Sequence, residues 1–561
     1  MPTLQFKGKS SVWNHHLAIP YHTVDAVANL GYQPDLTPKT GDQITLITDD
    51  QPHGGPATPV LDNLLIEGDN LLALKALLPQ FTGRVKCIYI DPPYNTGGEN
   101  WVYNDNVNSP LINEWLGKVV GKDDLTRHDK WLCMMTPRLK LLRELLADDG
   151  VIFVSLDDNE QHTFRCLMDE MFGEENFVAN IMWQKKYAIS NDDDGIGQMH
   201  DFIICYSKTT AFERYLLPRT QEQVKRYTNL DEDPRGPWAS AEYVSSKSKE
   251  QRPTLWYPIV HPETGEEVWP DPNAVWRYSK DKHEEMVKEN RLYWGPTLNY
   301  KIPRIKKYIS EIQEGIVPNT WWDFKEVGHN DEAKKEVISL FEDKNVFDTP
   351  KPVRLLKKIL KISTKDNDII LDSFAGSGTT GQAVMELNKE DGGNRRFILI
   401  QMPESSEREP DKNICRDITR ERLHRAIDKF GYRAGFQYWQ VGQALDAETL
   451  LSGQLPTFET FARYVYYLCT GENLPDNQRP DADTYLVGTS PGRAIYLVYQ
   501  PDFTALTKLA LNLSLAQQMQ QAHPKQKIVV YAPACFLDDE HLDDWQIEYV
   551  GIPYNLFQRT A

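Results

Sequence analysis

Val85-Lys86-Cys87-Ile88-Tyr89-Ile90-Asp91-Pro92-Pro93-Tyr94-Asn95 is the stretch on which the fold turns. Its first six residues are short, mostly apolar and rich in β-branched types, the pattern of a strand covered on both faces of a parallel sheet. The run then breaks into a carboxylate, two prolines and an aromatic ring. Open α/β sheets bind ligands outside the carboxyl ends of their strands, so Asp91 to Tyr94 occupy a place where chemistry is done. The prolines fix φ and remove backbone donors, which leaves the Pro92 carbonyl available as an acceptor. Asp91 and that carbonyl suit the two hydrogens of an exocyclic amine, and accepting them helps to localise its lone pair for attack on a methyl group. Tyr94 suits stacking on the ring that carries the amine. Inside a duplex such an amine is out of reach, so the base has to be flipped out, and an aromatic platform offsets part of the lost stacking. Asp and Pro also serve plain turns, so the motif needs company.

Outward from this strand, residues 151–156, 368–371 and 397–401 read as further buried strands. Residues 70–78 and 131–147 carry apolar positions three and four apart and read as helices, the second ending at Asp148-Asp149-Gly150. Strands alternating with helices predict a doubly wound α/β sheet. The strand ending at Asp372 enters Ser373-Phe374-Ala375-Gly376-Ser377-Gly378-Thr379-Thr380-Gly381 and then a helix. Its glycines allow a ligand close to the backbone, and it lacks the lysine of a phosphate-binding loop. The strand at 397–401 ends near Gln401 and Glu404, polar groups placed to hold ribose hydroxyls as acidic residues do in dinucleotide folds.

The alternation breaks between residues 185 and 346, where Trp238, Trp256, Trp269, Trp276, Trp294, Trp321 and Trp322 are mixed with Pro, Gly, Lys and Arg. That mixture suits phosphate contacts and base reading, although tryptophans are more often core than stacking platforms. A last segment from Asp446 has its own strands at 485–487, 494–499 and 527–531 and a helix at 504–521. The expected organisation is an N-terminal extension (1–62), the half carrying Asp91 (63–184), an insert (185–346), the half carrying the glycine loop (347–445) and an accessory domain (446–561).

The 561 residues carry a net charge of −19, which counts against a simple nucleic-acid binder and confines any such contact to a local basic surface. Seven scattered cysteines include no Cys-x-x-Cys pair, and no His cluster has ligand spacing, so no metal site is expected and reduced thiols are. No apolar stretch approaches the roughly 18 residues of a membrane span, and residues 1–17 lack the apolar run of a secretory signal. A cytoplasmic protein without membrane contact is expected.

The pair of motifs, Asp-Pro-Pro-Tyr at 91–94 followed later by Phe-Ala-Gly-Ser-Gly at 374–378, resembles the β class of DNA amino-methyltransferases. Glu67-Gly68-Asp69-Asn70, His200-Asp201-Phe202 and Phe347-Asp348-Thr349-Pro350-Lys351-Pro352 extend the likeness. Thr320-Trp321-Trp322, Val327-Gly328-His329 and Glu332-Ala333-Lys334-Lys335 resemble the modification subunits of type III restriction systems. The resemblance implies a Rossmann-like methyltransferase fold in permuted order, with strands before Asp91 and Phe374 as neighbours, an inserted target-recognition domain and S-adenosylmethionine as cofactor. It implies that Asp91, Pro92, Pro93 and Tyr94 hold and methylate the base. Asp69, Thr349, Lys351, Asp372, Phe374, Gly376, Gly378, Thr379, Thr380, Gln401 and Glu404 are then the cofactor-binding candidates. Its further implications are N6 of adenine in double-stranded DNA as substrate, a homodimer, and a restriction or other phage-defence partner. Methylation of cytosine N4 is the nearest alternative, disfavoured because cytosine members more often carry Ser where Asp91 stands. A catalytically silent recognition subunit is disfavoured by the intact motifs.

Overall fold

In the computed structural model, which describes residues 3–34, 63–96, 117–120, 125–189, 195–229, 231–343, 346–404 and 412–552, Val85–Ile90 is a strand with all six residues buried. In chain order the strands are β1 (His22–Ala26), β2 (Asn63–Glu67), β3 (Val85–Ile90), β4 (Leu146–Leu156), β5 (Phe177–Gln184) and β6 (His200–Ser207). There follow β7 (Trp238–Glu242), β8 (Val244–Ser245), β9 (Ile259–Val260), β10 (Glu267–Val268), β11 (Val275–Trp276), β12 (Leu292–Tyr293) and β13 (Arg304–Tyr308). The remainder are β14 (Trp321–Trp322), β15 (Ile369–Asp372), β16 (Arg396–Gln401), β17 (Phe436–Ala444), β18 (Leu486–Ser490), β19 (Arg493–Leu497), β20 (Lys527–Ala532) and β21 (Ile547–Gly551).

Ten of them form one sheet in the order β1-β17-β2-β16-β15-β3-β4-β6-β5-β14. From β17 to β4 every neighbouring pair is parallel, and the central strands β3, β15 and β16 are buried, largely apolar runs, as strands covered on both faces must be. β6 turns the direction by pairing antiparallel with β4. Leu371 of β15 pairs with Ile88 of β3, so the strand ends before Phe374 and before Asp91 are neighbours, as the family likeness implies. The sheet is of the α/β kind that the alternation of strands and helices predicts, with the Asp91 strand earlier in the chain than the glycine-loop strand beside it.

Several expected boundaries shift. The helix that begins at Arg127 ends at Leu145, and residues 148–150, read as its stop signal, lie inside β4. Register explains this: Val85 pairs with Leu146 and Cys87 with Val151, so the intervening residues of β4 bulge out. A Cβ on Gly150 would stand 2.9 Å from the Val85 carbonyl oxygen, an approach only glycine permits. The helix expected at 504–521 is two, Phe503–Leu506 and Leu513–Ala522, and β21 was not anticipated.

The described chain gathers into two compact units, Met1–Tyr215 with Asn319–Ala561, and Leu216–Pro318. The stretch 185–346 therefore yields β6 and β14 to the main sheet, and only its middle gathers apart. Residues 1–62 were read as an extension, yet β1 pairs with β17 at the sheet edge. Of the expected accessory domain, the described residues from 446 to 552 carry the sheet β18-β19-β20-β21 within the first unit. Their helix Phe458–Thr470 packs on the helix Asn70–Phe81, with the Tyr21 and Tyr464 rings 4.4 Å apart between centroids. The second unit has a small core of Tyr243, Tyr257, Ile259, Trp276, Met286, Leu292, Trp294 and Ile305 around β12-β13-β7. Trp238, Trp276 and Trp294 are buried there, whereas Trp269 is exposed with its ring against Trp256. Among the described residues no helix is long and apolar enough to cross a membrane.

Candidate active site

Asp91 leaves the end of β3 and forms an ion pair with Lys351, whose Nζ also stands 5.2 Å from the centre of the Tyr94 ring. The chain after Asp91 is tightly held. Trp131 Nε1 donates to the Pro93 carbonyl at 2.6 Å, and among the described residues none donates to the Pro92 carbonyl. Asn95 follows with φ +60°, a left-handed conformation that Asn tolerates better than most residues. Its buried Nδ2 donates to Glu160 Oε1 at 2.6 Å. Glu160 is fully enclosed and also meets His128 Nδ1 and the Thr163 hydroxyl, each at 2.7 Å. This network over-determines the backbone just past the prolines, which is how a sparsely populated conformation persists. Burial first, then the charges of Asp91 and Asp201, hold the Tyr94 hydroxyl well above its ordinary pKa, so it stays protonated.

The glycine loop leaves the end of β15 beside it. A cleft between the two is lined by Tyr89, Asp91, Phe347, Thr349, Pro350, Lys351, Asp372, Phe374, Ala375, Gly376, Ser377, Thr379 and Thr380. Asp372 accepts from the Thr380 hydroxyl at 2.5 Å and from the Phe374 N–H at 3.0 Å. Burial, reinforced by the Asp91 charge, nevertheless pushes its carboxyl up to about 7. Gly376 has φ +52°, and a Cβ there would press to 3.2 Å on the Phe347 ring. Its N–H donates to Gln401 Oε1 at 2.7 Å. Gly378, at φ +84°, is the N-cap of the helix Thr379–Asp391, whose first N–H groups are those that an α-helix leaves without an internal partner.

A carboxylate at the end of one strand, sharing a cleft with the glycine loop at the end of its neighbour, is an arrangement for bringing an amine to a donor. A family model described as DNA methylase matches residues 85–409, a span that starts at β3 and runs through the glycine loop. The chain belongs to the DNA methylase family. Over 448 residues it is 36% identical to the type III restriction-modification enzyme StyLTI Mod subunit of Salmonella typhimurium, covering 75% of this chain and 67% of that protein. It is 29% identical over 465 residues to the EcoP15I Mod subunit of Escherichia coli, covering 72% and 69%. The type II methyltransferase M.KpnI of Klebsiella pneumoniae is 31% identical over 351 residues, covering 60% and 79%.

In this methylase the sequence-chosen residues fall into three groups. Asp91, Thr349, Lys351, Asp372, Phe374, Gly376, Thr379 and Thr380 line the cleft, with Pro92, Pro93, Tyr94 and Gly378 directly adjoining in the chain. Gln401 supports the loop from behind through Gly376. Asp69 and Glu404 are not among the lining residues. Asp69 caps the helix Asn70–Phe81 by accepting from Leu71 N–H at 2.7 Å, and it pairs with buried Arg138 at 3.2 Å. Sequence reading missed Asn95, Glu160, His128 and Trp131, and also Asp201, which is buried and accepts from Lys185 Nζ at 2.5 Å. Asp201 lay in a quoted motif, and a buried acid beside a histidine was the signal available. The other contacts join residues far apart in the chain and leave no local pattern.

Proposed function

We propose that this methylase transfers the methyl group of S-adenosylmethionine to N6 of a flipped-out adenine in double-stranded DNA, as the modification component of a restriction-modification system. The observation that carries the reading is the pairing of β3 with β15, which puts Asp91 and the glycine loop on the same cleft. The names of the Mod relatives support the substrate and the setting. The cleft also fits the cofactor chemically. The Asp372 carboxyl suits its polar groups, the rings of Phe347 and Phe374 suit its adenine, and Gly376 keeps clear the space that a Cβ would take against Phe347. When bound there, the cofactor supplies an activated methyl group.

The chain's own residues do the rest. The Asp91 carboxylate and Pro92 carbonyl accept the hydrogens of the amine and orient its lone pair, an electrostatic and positional role more than that of a strong base. Tyr94 stacks on the extruded base. Lys351 neutralises Asp91 until an amine takes its place. Asp at position 91 favours adenine over cytosine, following the family likeness. The compact unit Leu216–Pro318 serves as the recognition domain, a second copy and a restriction subunit as partners, and the cytoplasm as location.

Asp91→Ala tests the division of labour. Methyl transfer from labelled cofactor to DNA should vanish while calorimetric binding of S-adenosylmethionine stays within a few-fold of wild type. Equal loss of both would overturn the role given to Asp91.

A further inference from the structure

We infer that Arg422 and Glu336 form a buckle that holds the two walls of the cofactor cleft together, which makes them positioning residues for cofactor binding. This rests on reading the cleft as the S-adenosylmethionine site. One wall is the glycine loop; the other is the segment with Phe347, Thr349 and Lys351. The two walls belong to separate stretches of chain, and the pair ties one to the other.

Arg422 lies in the helix Glu421–Phe430 and is wholly buried beneath the loop. Its Nη1 donates to the Ser377 hydroxyl at 2.6 Å and to the Thr379 hydroxyl at 2.7 Å, and its Nε donates to Gln382 Oε1 at 3.0 Å. A single guanidinium therefore fixes the loop on both sides of Gly378. Its Nη2 has no hydrogen-bond partner among the described residues and points its charge at Glu336 Oε2, 3.9 Å away. Glu336, in the helix Asn330–Phe341, uses that same oxygen to accept from the Val353 N–H at 3.1 Å. Val353 begins the helix two residues after Lys351, with Pro352 as its N-cap, so the carboxylate anchors the second wall.

The preceding turn adds to the hold. The π-helical segment Ile414–Arg420 brings the Thr419 hydroxyl to the Gly376 carbonyl at 2.6 Å, and such segments often mark functional sites. Burial of both charges is a real cost. It pushes the Glu336 carboxyl up to about 7 and the Arg422 guanidinium down to about 10. A stability role alone is a poor reason for such a pair, because apolar residues of similar size usually serve as well. The other charges facing Glu336 are satisfied elsewhere: Glu332 pairs with Arg354, and Glu386 with Lys357.

The test is the dissociation constant of S-adenosylmethionine for the full chain, measured by calorimetry at about pH 8 so that Glu336 is ionised, with thermal melting alongside. R422M is expected to weaken binding about tenfold or more, R422K to recover part of it, and E336Q to weaken it several-fold. R425M is the control. Arg425 lies on the same helix and donates to the Leu340 carbonyl of the neighbouring one without touching the loop, so its loss should leave the constant unchanged. Wild-type affinity in R422M, or an equal loss in R425M, would overturn the inference. If R422M does not fold, E336Q decides, and unchanged binding there overturns it. A wild-type chain that binds no S-adenosylmethionine would overturn the cofactor reading beneath it.

Discussion

Asp372 sits at the end of β15 with its carboxyl enclosed, and the enclosure sets when it ionises. Its pKa rises from 3.8 to about 7 in the folded chain, burial being the main cause. Between those values the unfolded chain has released this proton and the folded chain has kept it. The group therefore costs stability progressively as pH rises through that window, reaching at most about 4 kcal/mol above the folded value. Asp372→Asn cannot ionise and escapes that slope. Melting temperatures of wild type and D372N should diverge from about pH 4 to about pH 7, with wild type losing ground; parallel curves would show that Asp372 ionises normally. At this scale the contiguous motifs were legible because Asp-Pro-Pro-Tyr and the glycine loop keep their residues together in sequence. The Asn95–Glu160–His128 network was not, since 65 positions separate Asn95 from Glu160 and no periodicity links them.

Helices and strands divide in the same way. β3, β15 and β16 were legible because strands covered on both faces must be apolar throughout. β5 has a mixed burial pattern that blurs its reading as a strand, and β14 is two residues long and does not stand out from an insert rich in tryptophan. The bulge in β4 was read as a helix stop because Asp-Asp-Gly serves both purposes, and only the register against β3 distinguishes them. Asp69 shows an element-scale role where a ligand role was expected. Asp69→Ala should lower stability by at least about 1 kcal/mol, the figure typical of a lost N-cap, because it also takes the carboxylate from buried Arg138. Asp69→Asn, which can still cap, should retain most of it by thermal melting. Cofactor affinity should be unchanged in D69N, and a loss there would return Asp69 to the cofactor site.

The whole chain carries −19, yet the unit Leu216–Pro318 contains sixteen Lys and Arg against sixteen Asp and Glu. The entire excess of negative charge lies outside it, which makes this unit the less repelled surface for DNA. Lys247, Lys249 and Arg252 lie close together in its sequence, and Lys249 Nζ stands 5.4 Å from the centre of the Trp256 ring. Replacing the three basic residues with Gln should weaken DNA binding across all sequences. It should also reduce the salt slope by about 2 to 3, one phosphate contact per lost charge, with cofactor affinity untouched. An unchanged slope would place the DNA elsewhere. Which bases are read was never legible, because that depends on how side chains meet the groove. The central claim meets its most direct test in native DNA from a methylation-deficient host expressing this chain, sequenced for modified bases. N6-methyladenine at one short recurring motif, absent with Asp91→Ala, is the expected result; N4-methylcytosine, or unmodified DNA from a chain that binds both cofactor and DNA, would contradict it.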